Sequence, residues 1–384
     1  MKNRIGIGMI GCGGMGRYVA SETISRNKRL ELRGICDPDN RAVRATREEI
    51  NPDVERFKNH RDLVHSDSID WVMIASWNAC HKEHVLAAAR AGKAIFCQKP
   101  LATTMSDALA MQRAVRANDR PFSMGFNLRY SPHYAKVKAI VDSGALGDII
   151  SMEFNETLGF NHGGYIMGDW RRLTRNAGSH ILEKCCHDID LVNWISGTLA
   201  TRVASFGGLN FFLPHNVRHI KRLGRSKNGQ TAYRTMPGLV SKNPFTSQKD
   251  IFDNQVVILE YANYMRATFH TNCNSAIPER RMYIQGTEGT LRADVIPGII
   301  EVQRIGFETK IQNVKAGVAG GHGGGDAVLA KELAALMLRG GTPRASVEDG
   351  LKSAVTCFAI DKAANTGRVV DVRPYWKRAG IPVA

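Results

Sequence analysis

The run RIGIGMIGCGGMG, Arg4 to Gly16, decides how the rest of the chain is read. Arg4 to Ile10 is a short apolar run of strand length. Gly11, Gly13 and Gly16 follow as G-x-G-x-x-G. That spacing permits a tight turn, backbone approach to a pyrophosphate, and close packing of the next helix on the strand. The helix, expected over Gly16 to Arg26, would offer the N–H groups of its first turn to phosphate oxygens. Alone, the motif is weak. Here a second strand, Leu30 to Cys36, follows the helix and ends on Asp37, about twenty residues beyond the last glycine. A carboxylate there accepts hydrogen bonds from an adenosine ribose diol and repels a 2′-phosphate. The set predicts a dinucleotide site that prefers NAD to NADP, with Arg41 and Arg44 as the nearby cations that could recruit the 2′-phosphate.

Outward from this stretch, strand and helix alternate. Trp71 to Ser76, Ala94 to Cys97 and Pro121 to Phe126 read as buried strands, with helices over His81 to Ala91 and Ser106 to Asn118. This rhythm predicts a parallel sheet, in which ligands bind outside the carboxyl ends of the strands. Those ends carry Gly11 to Gly16, Asp37, Ser76-Trp77-Asn78, Gln98-Lys99-Pro100 and Asn127. From about Asp148 the pattern changes. Ile149 to Thr157, Arg202 to Phe212, Gln255 to Asn272, Arg281 to Asp294 and Ile299 to Ile305 read as long strands joined by turns. Such runs imply a mostly antiparallel sheet and an α+β domain. The expected organisation is a Rossmann domain over residues 1–127 and an α+β domain over 128–384. Two helices close the chain, Asp326 to Leu338 and Val347 to Ala364. The loop Gly320 to Asp326 reads as a flexible approach to a cleft or as a helix start capped by Asp326.

One helix interrupts the second domain, GSHILEKCCHDIDLVNW, Gly178 to Trp194. Read as continuous, it puts Glu183 and His187 on one face, a turn apart. A carboxylate so placed can orient the imidazole and fix its tautomer, the minimum for moving a proton near neutral pH.

Composition bounds the alternatives. The chain has 384 residues, enough for two domains with cores of their own. No run resembles a membrane span or a secretory leader. The eight cysteines show neither zinc spacing nor a disulfide framework, so no metal is implied and reduced thiols in the cytoplasm are expected. Lys and Arg number 52 against 36 Asp and Glu, a net charge of +16, yet no nucleic-acid module is present. Much of the excess lies in His215 to Lys249, which holds Arg218, Lys221, Arg222, Arg225, Lys227, Arg234, Lys242 and Lys249 and no acid. That stretch, with few large apolar residues, reads as an exposed loop or as a flap that meets an anion on a substrate or a neighbouring subunit.

Several segments together resemble the glucose–fructose oxidoreductase/inositol dehydrogenase (Gfo/Idh/MocA) family. They are GCGGMG with Asp37, SWNACH (76–81), AGKAIFCQKPLA (91–102), GFNLRYSP (125–132), the Glu183-x-x-x-His187 helix, YIQGTEGTL (283–291) and SVEDGL (346–351). The resemblance implies a Rossmann domain followed by a large open sheet that mediates homodimer or homotetramer assembly. It also implies hydride transfer between nicotinamide and one carbon of a sugar, glycoside, polyol or inositol. The family's catalytic lysine maps to Lys99, its histidine to His187, and the preceding acid to Glu183. The cofactor contacts map to Gly11, Gly13, Gly14, Met15, Gly16, Asp37, Ser76, Trp77, Asn78, His81, Gln98, Lys99 and Asn127. Substrate contacts are expected among Arg129, Tyr130, Asp169, Arg171 and His322. The chain departs from the family pattern at Gln98 (Glu), Glu183 (Asp) and Trp77 (Pro). Two rival functions share the fold: a glycosidase or lyase that uses NAD for transient oxidation and elimination, and a regulator that binds the nucleotide without chemistry. Retention of both Lys99 and His187 argues against the regulator.

Overall fold

The structure, a computed structural model, describes residues 4–233, 242–317 and 320–383. It divides into two compact units, Met1–Ser131 with Ala319–Ala354, and Pro132–Val318 with Val355–Ala384.

The first unit alternates β1 (Ile5–Ile10), α1 (Gly14–Ile24), β2 (Leu30–Cys36), α2 (Asn40–Glu49), β3 (Glu55–Arg56), α3 (His60–His65), β4 (Trp71–Ile74), α4 (His81–Arg90), β5 (Ala94–Gln98), α5 (Met105–Arg116) and β6 (Phe122–Gly125). The strands form one six-stranded sheet in the order β3-β2-β1-β4-β5-β6, parallel throughout. Every residue of β4, β5 and β6 is buried, which is why these segments read as continuous apolar runs. Asp39 and Thr104 cap α2 and α5 by accepting from the N–H groups of Arg41 and Asp107. A late segment completes this core. Leu329, Leu333, Leu336 and Met337 of the helix Gly325–Arg339 (α12 in chain order) pack with Val19 and Ala20 of α1.

The second unit begins with α6 (Pro132–Asp142) and β7 (Ile149–Gly159). Four short helices follow: α7 (Phe160–Gly168), α8 (Thr174–Ala177), α9 (His180–Glu183) and α10 (Cys186–Ser196). Then come β8 (Ala200–Gly208), α11 (Arg218–Leu223), β9 (Asn254–Tyr261), β10 (Arg266–Ser275), β11 (Arg281–Gly286), β12 (Gly289–Asp294), β13 (Ile299–Arg304) and β14 (Gln312–Asn313). Past α12, the chain closes with α13 (Val347–Thr366), β15 (Val370–Asp371) and α14 (Arg373–Ala379). The nine-stranded sheet runs β14-β13-β12-β11-β7-β10-β9-β8-β15. Among the described residues β7 and β10 are its one parallel pair. Alternation is plain in β9, where Gln255, Val257, Leu259 and Tyr261 are buried and Val256 and Ile258 are exposed.

Three expectations change here. The helix expected over 178–194 is broken: α9 ends at Glu183, Cys185 flattens to ψ 0°, and α10 starts at Cys186. Lys184 lies at the break with its N–H still bonded to the His180 carbonyl, and its ammonium lies 3.2 Å from Glu156 Oε1. The strand expected to reach Phe212 stops at Gly208, because the Asp253 carboxylate accepts from the N–H groups of Asn210, Phe211 and Phe212 and turns the chain off the sheet. The basic stretch is not a bare loop. Phe212, Ala232, Tyr233 and Phe245 build a satellite core with Leu158, Ile166, Met167, Ile251 and Cys273. Upon it Arg218, Lys221, Arg222, Arg225 and Lys227 are all exposed. Residues 234–241, with Arg234, lie outside the described residues. No helix among the described residues is long and apolar enough to cross a membrane.

Candidate active site

In the first unit the polar landmarks collect at the carboxyl edge of the parallel sheet. Gly11 has φ +89°, and a Cβ there would fall 2.4 Å from the Ser76 nitrogen. A Cβ at Gly16 would lie 2.6 Å from the Gly11 carbonyl oxygen. Only glycine permits this turn against β4. At Gly13 and Gly14 a Cβ would meet nothing within 4 Å, so the turn leaves open space. That space fronts the start of α1, which has no side-chain cap and no acidic residue in its first turn. Met15, Tyr18 and Trp77 are exposed around it at 42%, 43% and 48%, an apolar rim of the kind that flat rings cover. These features fit a dinucleotide whose pyrophosphate sits on the helix start.

Asp37 ends β2 and is tied to the turn: Oδ2 accepts from the Cys12 N–H at 2.7 Å and Oδ1 from the Asp39 N–H at 2.7 Å. A carboxylate has further lone pairs for ribose hydroxyls. Arg41 is drawn back to Asp39, 3.0 Å away. Ser76 Oγ lies 2.8 Å from His84 Nδ1. His81 is fully buried, with Nδ1 2.8 Å from the Pro100 carbonyl and Nε2 3.1 Å from that of Ser76, so it ties the loops after β4 and β5 together. Burial pushes its pKa down. Asn78, in the same segment after β4, is buried as well. Lys99 comes directly after β5, before a cis bond to Pro100.

Asn127 and Gln98 are 2% and 8% exposed. Asn127 Nδ2 donates to Asp326 Oδ1, and His322 Nδ1 lies 2.8 and 3.0 Å from the two Asp326 oxygens. Against the opposing effect of burial, His322 and Asn127 hold Asp326 below the usual carboxylate range. Asp326 is thus not the cap of α12, which has no side-chain cap bond. His322 has φ +49° within the glycine run. Two residues expected at a substrate are committed elsewhere. Arg129 is buried, 3.1 Å from Asp349 and donating to the Arg344 carbonyl at 3.0 Å. Tyr130 lies in the core with the Arg344 guanidinium 5.2 Å from its ring centre.

In the second unit, Arg171 is the hub of a polar cluster. Its Nε donates to Glu183 Oε1 at 3.0 Å and its Nη1 to Asp169 Oδ2 at 3.0 Å and to the Tyr165 hydroxyl. The guanidinium stacks 4.4 Å from the Trp170 ring centre. Burial pushes Asp169 up, against the pull of Arg171. His187 is 2% exposed in the first turn of α10.

Behind His187 lies a network that sequence reading missed. Arg280 grips Asp188 with two bonds of 2.8 Å and reaches Glu156 at 3.1 Å; Lys184 shares Glu156. All three residues of the Arg280–Asp188–Glu156 set are under 9% exposed. Desolvation pushes Asp188 up, whereas Arg280 and Lys184 hold Glu156 low despite its burial. Glu156, Cys185 and Asp188 offer ligand atoms within 4.8 Å of one another, a grouping that cysteine spacing did not expose. Burial raises the Cys185 thiol far above its usual value, and the carboxylates already face Arg280 and Lys184. The only local hint was the unusual acid density of His187-Asp188-Ile189-Asp190.

Ser179 caps α9 by accepting from the Leu182 N–H and donates to Asp361 at 2.6 Å. Desolvation pushes Asp361 up to about 7, only partly offset by Ser179. Its folded pKa thus lies above its unfolded value, so the folded state binds a proton that the unfolded chain has lost. Stability from this group is present below about pH 4 and is lost as pH rises to about 7. Asp361→Asn is expected to flatten the fall in melting temperature across that window. An unchanged pH slope in calorimetry would count against the assignment.

A glycine turn on a parallel sheet, joined to a second unit built on a large, mostly antiparallel sheet, is the architecture of a two-part NAD-binding protein. Residues 5–126 match the family described as "Oxidoreductase family, NAD-binding Rossmann fold", and residues 134–292 match "GFO/IDH/MocA C-terminal domain". The chain belongs to the GFO/IDH/MocA family of NAD-binding oxidoreductases. Inositol 2-dehydrogenase of Gluconacetobacter diazotrophicus is 34% identical over 198 residues, 50% of this chain and 54% of that one. The chain thus spans about half the length of that relative. The uncharacterized oxidoreductase YrbE of Bacillus subtilis is 25% identical over 81% of this chain and 80% of its own. Levoglucosan dehydrogenase, solved with NADH and levoglucosan, superposes with a TM-score of 0.78 at 20% identity over 96% of this chain and 99% of that one. Myo-inositol 2-dehydrogenase from Lactobacillus plantarum gives 0.73 at 20% identity over 96% and 99%. At such identities the likeness is one of fold.

Proposed function

We propose that the protein oxidises or reduces one CH–OH carbon of a cyclic sugar, polyol or inositol with NAD, using Lys99 and His187 as its acid–base pair. The observation that carries this reading is the place of Lys99, at the carboxyl end of β5 on the edge that bears the glycine turn. The inositol 2-dehydrogenase relatives supply the substrate class. Bound NAD⁺ supplies the hydride acceptor. For oxidation, His187 takes the hydroxyl proton while Lys99 holds the oxygen and stabilises negative charge as it develops. Glu183, anchored by Arg171, is a positioning residue for His187, and Asp169, Arg171 and Tyr165 are the polar group offered to neighbouring hydroxyls. Arg129 and Tyr130 have no part in this assignment. A panel of cyclic sugars, polyols and inositols with NAD⁺, followed by NADH absorbance, tests it. No NADH from any of them, with NAD⁺ shown to bind, would sink the reading.

NAD⁺ is expected to bind more tightly than NADP⁺, because Asp37 repels a 2′-phosphate and Arg41 is committed to Asp39. Titration calorimetry with both decides it, and Asp37→Ala should narrow the gap. Equal or tighter NADP⁺ binding would overturn it. Self-association through the nine-stranded sheet is expected as well. Phe206 and Val256, partners across β8 and β9, are 74% and 53% exposed, and Ile258 is 56% exposed beside them. Phe206→Glu should lower the mass seen by light scattering; a wild-type chain that runs as a monomer would rule this out.

A further inference from the structure

Two buried polar atoms at the sheet edge have no hydrogen-bond partner among the described residues: Gln98 Nε2, a donor, and Asn127 Oδ1, an acceptor. They belong to neighbouring strand ends. Gln98 pairs in register with Gly125 across β5 and β6, and Asn127 comes two residues later. The Gln98 side chain leans over that glycine, where a Cβ would fall 2.7 Å from Gln98 Oε1. The orientation of the Asn127 amide is fixed from behind. Its Nδ2 donates to Asp326, which is itself held by His322, so Oδ1 points away from that carboxylate. A buried donor and a buried acceptor left open at neighbouring strand ends are costly unless a ligand with the opposite pattern meets them. A primary carboxamide has that pattern: a carbonyl to accept from Gln98 and an NH₂ to donate to Asn127.

We infer that Gln98 and Asn127 read the carboxamide of the nicotinamide ring, with Asp326 and His322 as positioning residues that keep Asn127 an acceptor. The inference rests on the NAD-binding reading above and adds to it a recognition element formed by residues 98, 127, 322 and 326.

The test needs no variant at first. By titration calorimetry on the wild-type protein, NAD⁺ is compared with 3-acetylpyridine adenine dinucleotide, in which a methyl replaces the NH₂. The analogue is expected to bind about tenfold more weakly, the scale for a buried acceptor that loses its donor. Thionicotinamide adenine dinucleotide, a poor acceptor at the same position, should be weakened through Gln98. Asn127→Ala should lower NAD⁺ affinity without further lowering that of the acetylpyridine analogue, collapsing the ratio towards one. Asp326→Ala should collapse it too, whereas mere loosening of the fold would weaken both ligands alike. If wild-type protein binds NAD⁺ and the acetylpyridine analogue equally, the inference is wrong while the cofactor assignment stands. If neither binds, the cofactor assignment fails and the inference with it.

Discussion

Replacing Lys99 or His187 with alanine is expected to lower kcat by about two to four orders of magnitude, the range in which acid–base groups contribute. NAD⁺ affinity should stay within about threefold in both variants, since neither residue is needed for the glycine turn, the start of α1 or Asp37 to meet the dinucleotide. The two should also be distinguishable. Loss of a general base leaves a rate that rises with external buffer base, whereas loss of a cation that stabilises developing charge does not. Glu183→Gln should do less harm, because Arg171 keeps Asp169 as a second carboxylate partner. Near-normal turnover in either alanine variant would remove that residue from the chemistry. A double variant no slower than the worse single one would show that the two act as a unit.

The largest effect on stability is expected at Arg280. Removing it leaves Asp188 and Glu156 buried without their main counter-charge, and breaking a buried pair from one side costs about 3–5 kcal/mol. Arg280→Met should therefore lower the denaturant midpoint strongly. Adding Asp188→Asn and Glu156→Gln should recover most of the loss, since the charges that needed Arg280 are then gone. An Arg280→Met protein that unfolds like the wild type would mean that Lys184 alone suffices. The position matters for activity as well. Asp188 adjoins His187 in α10, so the same network that stabilises the second unit holds the backbone of the candidate base.

The glycine turn and the edge residues were legible because each is a local pattern. Buried parallel strands are apolar on both faces, so β1, β4, β5 and β6 announce themselves, and the residues just past each strand fall on one edge. Hairpin turns fixed β9 to β12 equally well, through Tyr261 to Tyr264 and Gly286 to Gly289. The hidden part depends on pairs distant in sequence. Asn127 and Asp326 are 199 positions apart, and Asp188 and Arg280 are 92 apart. Nothing in either neighbourhood marks a partner. The break between α9 and α10 was equally hidden. Helical periodicity survives a short turn of irregular backbone, here at Lys184 and Cys185, so the apolar pattern does not mark the break. The pair of Arg129 with Asp349 was hidden for the same reason as the other distant pairs, since the two lie far apart in sequence.

The late arrival of α12 in the first unit has a consequence for biosynthesis. When the ribosome has released the six parallel strands, α1 still lacks Leu329, Leu333, Leu336 and Met337, which are translated only after β7 to β14 of the second sheet. A nascent or truncated N-terminal half therefore carries a bare apolar stripe on the helix that follows the glycine turn. Domains usually fold as units in the order they are made. Here the first-made unit must wait for the last third of the chain, so premature termination would yield a sticky, chaperone-dependent fragment and not a small nucleotide-binding protein.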